Sequence, residues 1–348
     1  MRIAQIAPLF ESVPPQRYGG TERVVSYLTE ELVRRGHDVT LFASGDSCTR
    51  ATLVPVTERA VRFDTASWDL SSTDAVRQLG MLVARAGEFD VIHCHVDYLA
   101  FPVTRALRTP AVHTLHGRLD LPHLQPLYRH FADVPLVSIS DAQRAPLDAC
   151  GVRWAGTVYH GQPLGRYSFG DGSGDYLAFL GRCSPEKQLD VAIEVARRAG
   201  MTLKIAAKVD VKDRAYFDQV IAPQLDDPLI EFIGEIGEDG KAEFLGRARA
   251  LLFPIDWPEP FGLVMVEAMA CGTPVVTRPC GAAPEVVAHG RTGFVVDSLV
   301  ELVEAVKRID EIDRAECRRH VERRFSVARM ADGYEGVYRR LRALRRAA

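Results

Sequence analysis

The sequence predicts an α/β protein made of two Rossmann-like halves, and three observations carry that expectation. Short apolar runs alternate with helical patterns along the chain, as parallel strands joined by crossover helices do. At 348 residues the chain is too long for one ordinary domain and comfortable for two. The composition changes abruptly at Gly165-Arg166-Tyr167-Ser168-Phe169-Gly170-Asp171-Gly172-Ser173-Gly174-Asp175, a stretch that reads as a linker. The expected domains are therefore residues 1–167 and 168–325, with a last helix over 326–348 packing back on the first.

In the first half a strand over 2–7 is followed by a helix over 21–35 and a strand over 38–43. A helical stretch near 74–86 leads to the strand 91–94, and further apolar runs lie at 111–115, 136–139 and 156–159. The second half opens with a strand over 176–180, a helix over 189–199 and a strand over 203–207. A helix near 214–222, a strand over 230–233, a helix near 240–249 and a strand over 250–254 continue it. Strands at 275–277 and 293–297 follow a short helix over 263–270.

Hydrophobic residues make up 47% of the chain and charged ones 26%, as in an ordinary soluble globular protein. A net charge of −3 gives no general attraction to nucleic acid. No apolar run is long enough to span a bilayer. Residues 1–8 read as a buried strand meeting Pro8 rather than a signal peptide. The seven cysteines are scattered with no C-x-x-C pair, which suits reduced thiols in the cytoplasm and argues against a zinc site or a disulfide framework. The last helix carries Arg339, Arg340, Arg342, Arg345 and Arg346. Peripheral contact with anionic lipid is one reading of these; a solvated face crossing back onto the first domain is the favoured one.

The most informative stretch runs from Glu259 through Pro260, Phe261, Gly262, Leu263 and Glu267 to Gly272-Thr273-Pro274. Glu259 precedes a proline and belongs to a loop. Glu267 lies inside a helical run, and the turn between them offers unpaired N–H groups at a helix N-terminus, a cradle for a diphosphate. This pattern resembles the Glu-x7-Glu signature of retaining glycosyltransferases of family 4, which have the two-domain GT-B fold with a central cleft. The resemblance covers nearly the whole chain, most strongly from residue 180 to 294, and weakens over 45–90 and 118–150.

What it implies is specific. Arg182 and Lys187, in Gly181-Arg182-Cys183-Ser184-Pro185-Glu186-Lys187, would hold the departing diphosphate. Glu259 would hold the donor sugar hydroxyls, with Phe261, Gly262 and Leu263 supplying backbone at the turn, and Glu267 would bind the ribose. The segment of Gly234 and Ile236 would meet the nucleobase through its backbone. Gly19 and Gly20, ahead of Thr21 and Glu22, resemble the family's acceptor-side glycine loop. His116, after a strand and before Gly117, resembles the histidine near the donor sugar. His160-Gly161 stands where relatives usually have Asn-Gly.

From the residues themselves, alternation puts His113 and Leu115 on one face of their strand, and Thr114 and His116 on the other. It likewise aligns His93, His95 and Asp97. No further ligand joins them, so no metal site is assigned, and His95 and Asp97 are low-ranking acceptor-side candidates beside a structural reading. No Asp-x-Asp occurs, which favours metal-independent transfer with no resident cofactor. The linker glycines precede a strand, the wrong context for a dinucleotide fingerprint, and Gly240-Lys241 lacks the rest of a P-loop.

The function expected is retaining transfer of a hexose from a nucleotide-diphosphate sugar to a hydroxyl of a sugar, glycan or small-molecule acceptor. A UDP-sugar is favoured as donor over GDP-mannose. The alternatives are a nucleotide-sugar 2-epimerase of the same fold and a non-catalytic sugar-nucleotide-binding protein. Closure of the domains, hinged near residues 170–174, is part of the same expectation.

Overall fold

The computed structural model describes residues 1–16, 19–63 and 68–347. The chain divides into two units: residues 1–161 with 327–348, and residues 162–326. The first holds a seven-stranded parallel sheet of β1 (Arg2–Ile6), β2 (Asp38–Ser44), β3 (Thr52–Thr57), β4 (Val91–Cys94), β5 (Ala111–Thr114), β6 (Leu136–Ser138) and β7 (Trp154–Thr157). Their order is β3-β2-β1-β4-β5-β6-β7, and Ile3 lies opposite both Val39 and Val91.

Alternation sorts the two faces of this sheet. Ala4, Ile6, Ile92 and Cys94 join Phe42, Leu82 and Phe89 in one buried cluster. Each large apolar side chain buried there contributes about 1.5–3 kcal/mol. The opposite face carries Gln5 and His93, which are in register and bond to Tyr338 of the C-terminal helix Val327–Ala347. That helix is also tied to the rest of the first unit by an ion pair from Asp332 to Arg35 at 2.8 Å and a hydrogen bond between Glu335 and His37 at 2.8 Å.

Strand β3 has no counterpart in the sequence reading. It pairs only with β2, so it is an edge strand, and there the missing N–H of Pro55 is tolerated.

The second unit holds a six-stranded parallel sheet of β8 (Tyr176–Arg182), β9 (Thr202–Lys208), β10 (Ile230–Gly234), β11 (Ala250–Phe253), β12 (Val275–Thr277) and β13 (Gly293–Val295). Their order is β10-β9-β8-β11-β12-β13. The order reverses between β8 and β11 here, and between β1 and β4 in the first unit. Crevices outside the carboxyl ends of strands at such reversals are where open α/β sheets bind ligands.

Two sequence expectations need correction. The division falls after Gly161 rather than residue 167, because Tyr167 is buried in the second unit, where Arg318 donates to its carbonyl at 2.7 Å. The glycine-rich stretch is no free linker or hinge. The N–H groups of Gly170, Gly172 and Gly174 donate to the carbonyls of Cys271, Gly246 and Arg247 at 2.9, 3.1 and 2.8 Å. A Cβ on Gly170 would stand 2.1 Å from the Gly246 carbonyl oxygen, so glycine is required by close packing rather than by mobility.

Candidate active site

In the second unit, two loops meet at the reversal point. Strand β8 ends at Arg182, and a single turn, Pro185–Lys187, delivers Lys187. The loop after β11 carries Trp257 and Glu259, and the Asp256 N–H donates to the Glu186 carbonyl at 3.1 Å, joining the two loops. Lys187 Nζ hydrogen-bonds Glu259 Oε2, to which Trp257 Nε1 also donates at 2.8 Å. The ammonium lies 4.7 Å from the Trp257 ring centroid and 5.1 Å from that of Phe253, so aromatic faces add to its stabilisation. Glu259 Oε1 has no hydrogen bond among the described residues.

Arg182 bonds Glu186 and lies beside Asp213, with Nε 3.3 Å from Asp213 Oδ2. That approach lacks hydrogen-bond geometry, so Arg182 Nε is a buried donor without an acceptor. Burial works against the Glu186 carboxylate, but backbone hydrogen bonding and the Arg182 charge outweigh it and hold its pKa below the usual range.

Gly262 turns this loop into the helix Leu263–Ala270 with φ 81°. This left-handed conformation disfavours any side chain, and a Cβ there would also displace the end of the Met265 side chain. The first N–H groups of the helix have no acceptor within it. Phe261 is buried, its ring centroid 5.8 Å from that of Phe325, so its side chain serves packing.

One turn into the helix, Glu267 is buried, with Oε1 3.1 Å from Lys241 Nζ and 3.4 Å from the Tyr167 hydroxyl. Oε2 has no hydrogen bond among the described residues. Lys241 also lies 3.5 Å from Glu238 Oε2. Its helix, Glu238–Arg247, begins just after Gly234, the last residue of β10, and Ile236. The expected base-contacting segment and the expected ribose ligand are thus linked through Lys241.

In the first unit, Gly19 N-caps the helix Gly20–Arg34, which begins with Gly20, Thr21 and Glu22. Glu22 is buried. Desolvation, with the charge of Glu11 adding to it, pushes its pKa up to about 7. The carboxyl ends of β4 and β5 carry a histidine chain. His95 Nε2 lies 2.7 Å from Gln5 Oε1, and His95 Nδ1 lies 3.0 Å from His116 Nε2. Gln5 Nε2 donates to Tyr338, so its oxygen accepts from His95 Nε2–H. His95 Nδ1 is then the acceptor, and His116 donates from Nε2, leaving His116 Nδ1 buried without a partner. Desolvation lowers the His116 pKa to about 3 and holds those of His93 and His95 well below the usual value, so all three are neutral. Asp97, at φ 47°, accepts the His116 backbone N–H at 3.2 Å, and burial raises its pKa. His160 stacks on His116 with ring centroids 5.3 Å apart.

The structure thus groups Gly19, Gly20, Thr21 and Glu22 after β1, and His95, Asp97 and His116 after β4 and β5. It joins Lys187 to Glu259, and seats Arg182 at the end of β8. Glu259 and Glu267 share no hydrogen bond; they flank Gly262. Sequence reasoning missed Trp257, Lys241, Tyr167, Glu186 and Asp213. Trp257 had a signal, standing two residues before Glu259. Lys241 and Tyr167 reach Glu267 from 26 and 100 residues away, and no local pattern announces such contacts.

Two family models match the chain, one on each half. Residues 18–154 match "Glycosyltransferase Family 4" and residues 170–324 match "Glycosyl transferases group 1". The D-inositol 3-phosphate glycosyltransferase of Mycolicibacterium smegmatis is 27% identical, over 80% of this chain and 75% of its own. The fold is similar to that of AviGT4, a glycosyltransferase involved in avilamycin A biosynthesis (TM-score 0.75, 24% identity, 99% and 98% of the two chains). It is also similar to that of Anabaena HepE in complex with UDP and glucose (TM-score 0.75, 18% identity, 96% and 98%). The chain belongs to the group 1, family 4 glycosyltransferases and is a transferase of the GT-B fold.

Proposed function

We propose that the protein transfers a hexose, with retention at the anomeric carbon, from a nucleotide-diphosphate sugar to a hydroxyl of a sugar, glycan or small-molecule acceptor. The observation that carries this reading is Arg182 Nε, a buried donor with no acceptor, at the strand-order reversal beside Lys187. A guanidinium held here by the Glu186 and Asp213 carboxylates has its Nε–H left over for a diphosphate, whose oxygens match its fork geometry. Glu259 Oε1 and Glu267 Oε2 remain free to accept sugar and ribose hydroxyls. A UDP-sugar is the favoured donor, in keeping with the UDP and glucose of the HepE complex.

In this mechanism Arg182 and Lys187 stabilise the charge that grows on the leaving diphosphate. The acceptor oxygen bonds to the anomeric carbon on the face from which the diphosphate oxygen departs, and a phosphate oxygen takes the acceptor proton. His116 and the Gly19–Gly20 turn act on the sugar and acceptor. The transfer proposed uses no resident metal, and His93 and His95 have both ring nitrogens engaged.

A thermal-shift panel of nucleotide sugars identifies the donor, because a ligand of the folded state raises apparent stability. Proton NMR of the product then tests the stereochemistry. An α-linked donor giving an α-linked product supports the proposal, and a β-linked product rejects it.

A further inference from the structure

We propose that the first unit carries a second anion site, at the end of β5 opposite His116, which takes a phosphate group attached to an apolar-faced body. A cavity of about 310 Å³ opens where β5, β6 and β7 begin. Taking about 30 Å³ per water, it has room for roughly ten waters, enough for a phosphate and a small organic body.

Besides Arg105, which pairs with Asp133, three arginines line this cavity: Arg108 just before β5, Arg153 just before β7, and Arg345 on the C-terminal helix. All three are exposed, and none makes a hydrogen bond or ion pair through its side chain among the described residues. Their neighbours are engaged. Arg339 bonds Glu335 at 2.6 Å, Arg340 donates to the Ala155 carbonyl at 2.9 Å, and Arg342 lies 3.6 Å from Asp90. Asp133 is the lining carboxylate, and Arg105 holds it at 3.0 Å. Three guanidinium groups with no carboxylate partner around one cavity raise its positive potential, which favours an anion there. A phosphate monoester, with up to two charges and three terminal oxygens, matches this set better than a carboxylate.

Leu107, Pro110, Val134 and Pro135 give the lining apolar surface, and Leu341 and the 56%-exposed Leu344 form one side of it. His113 also lines the cavity. Thr104 donates its hydroxyl to the Ala100 carbonyl at 2.9 Å and so accepts from His113 Nε2–H at 2.9 Å. Inorganic phosphate alone would leave the apolar side unused.

Calorimetry with inorganic phosphate and with dihexanoyl phosphatidic acid tests the site, using three forms of the full chain. These are the natural protein, the triple variant Arg108→Glu/Arg153→Glu/Arg345→Glu, and the donor-site variant Arg182→Ala/Lys187→Ala. The natural protein and the donor-site variant are expected to bind phosphatidic acid more tightly than phosphate. The triple variant should bind at least about tenfold more weakly. Flotation with phosphatidylcholine vesicles, with and without phosphatidic acid, separates the sources. Flotation only with phosphatidic acid, lost in the triple variant, points to a membrane lipid; soluble binding without flotation points to a free phosphorylated ligand. If the triple variant does not fold, Arg153→Gln alone should weaken binding. No binding by the natural protein, unchanged affinity in the arginine variants, or binding lost in the donor-site variant would overturn the proposal.

Discussion

Lys241 Nζ stands 3.1 Å from Glu267 Oε1, so the buried acid of the signature helix receives its countercharge from a different helix. Replacing Lys241 by Met would leave a buried carboxylate unpaired. Breaking such pairs from one side costs about 3–5 kcal/mol, and the partial exposure of Lys241 places the expected loss near about 3 kcal/mol. Urea denaturation measures it. Adding Glu267→Gln to Lys241→Met should restore most of the loss, whereas a stable Lys241→Met single variant would show the pair to be idle.

That pair marks the limit of what the sequence discloses. Strand alternation placed His113 apart from Thr114 and His116, because a period of two is a local property. The turn from Glu259 to Gly262 was legible for the same reason: proline, glycine and the following apolar helix lie within a few residues. Lys241, Tyr167, Glu186 and Asp213 were not legible as partners, since only the packed sheet brings them to the acids and cations they serve. The glycine-rich stretch was misread because the composition that makes a flexible linker also permits the close backbone packing seen at Gly170.

Glu22 should make stability fall as pH rises. Its folded pKa of about 7 lies above the ordinary 4.5, so the folded state holds the proton more tightly. The resulting stabilisation is fully present below pH 4.5 and is lost as pH rises to 7, a change of up to about 3 kcal/mol. Glu22→Gln should remove this contribution to the slope in denaturation curves taken across that interval. An identical slope in the variant would show that Glu22 titrates normally.

Arg182→Ala and Lys187→Ala should each lower kcat by about a hundredfold, with a smaller change in KM, because both groups meet charge that develops in the transition state. Steady-state kinetics with the donor found by thermal shift separates the two effects. A rise confined to KM would assign both cations to uniform binding.

Activity should survive excess EDTA. His93 and His95 are occupied by Tyr338, Thr114, His116 and Gln5, so they are not poised as metal ligands. Loss of turnover on chelation, restored by magnesium or manganese, would oppose metal-independent transfer.

Titration calorimetry of UDP and GDP against the natural protein and Glu267→Ala tests the nucleotide-sugar reading most directly. At least one nucleotide should bind the natural protein. The variant should lose roughly 1.5–3 kcal/mol of that affinity, about ten- to a hundredfold, as the ribose hydroxyls lose a charged acceptor. Failure of both nucleotides to bind, or equal affinity in the two proteins, would contradict it.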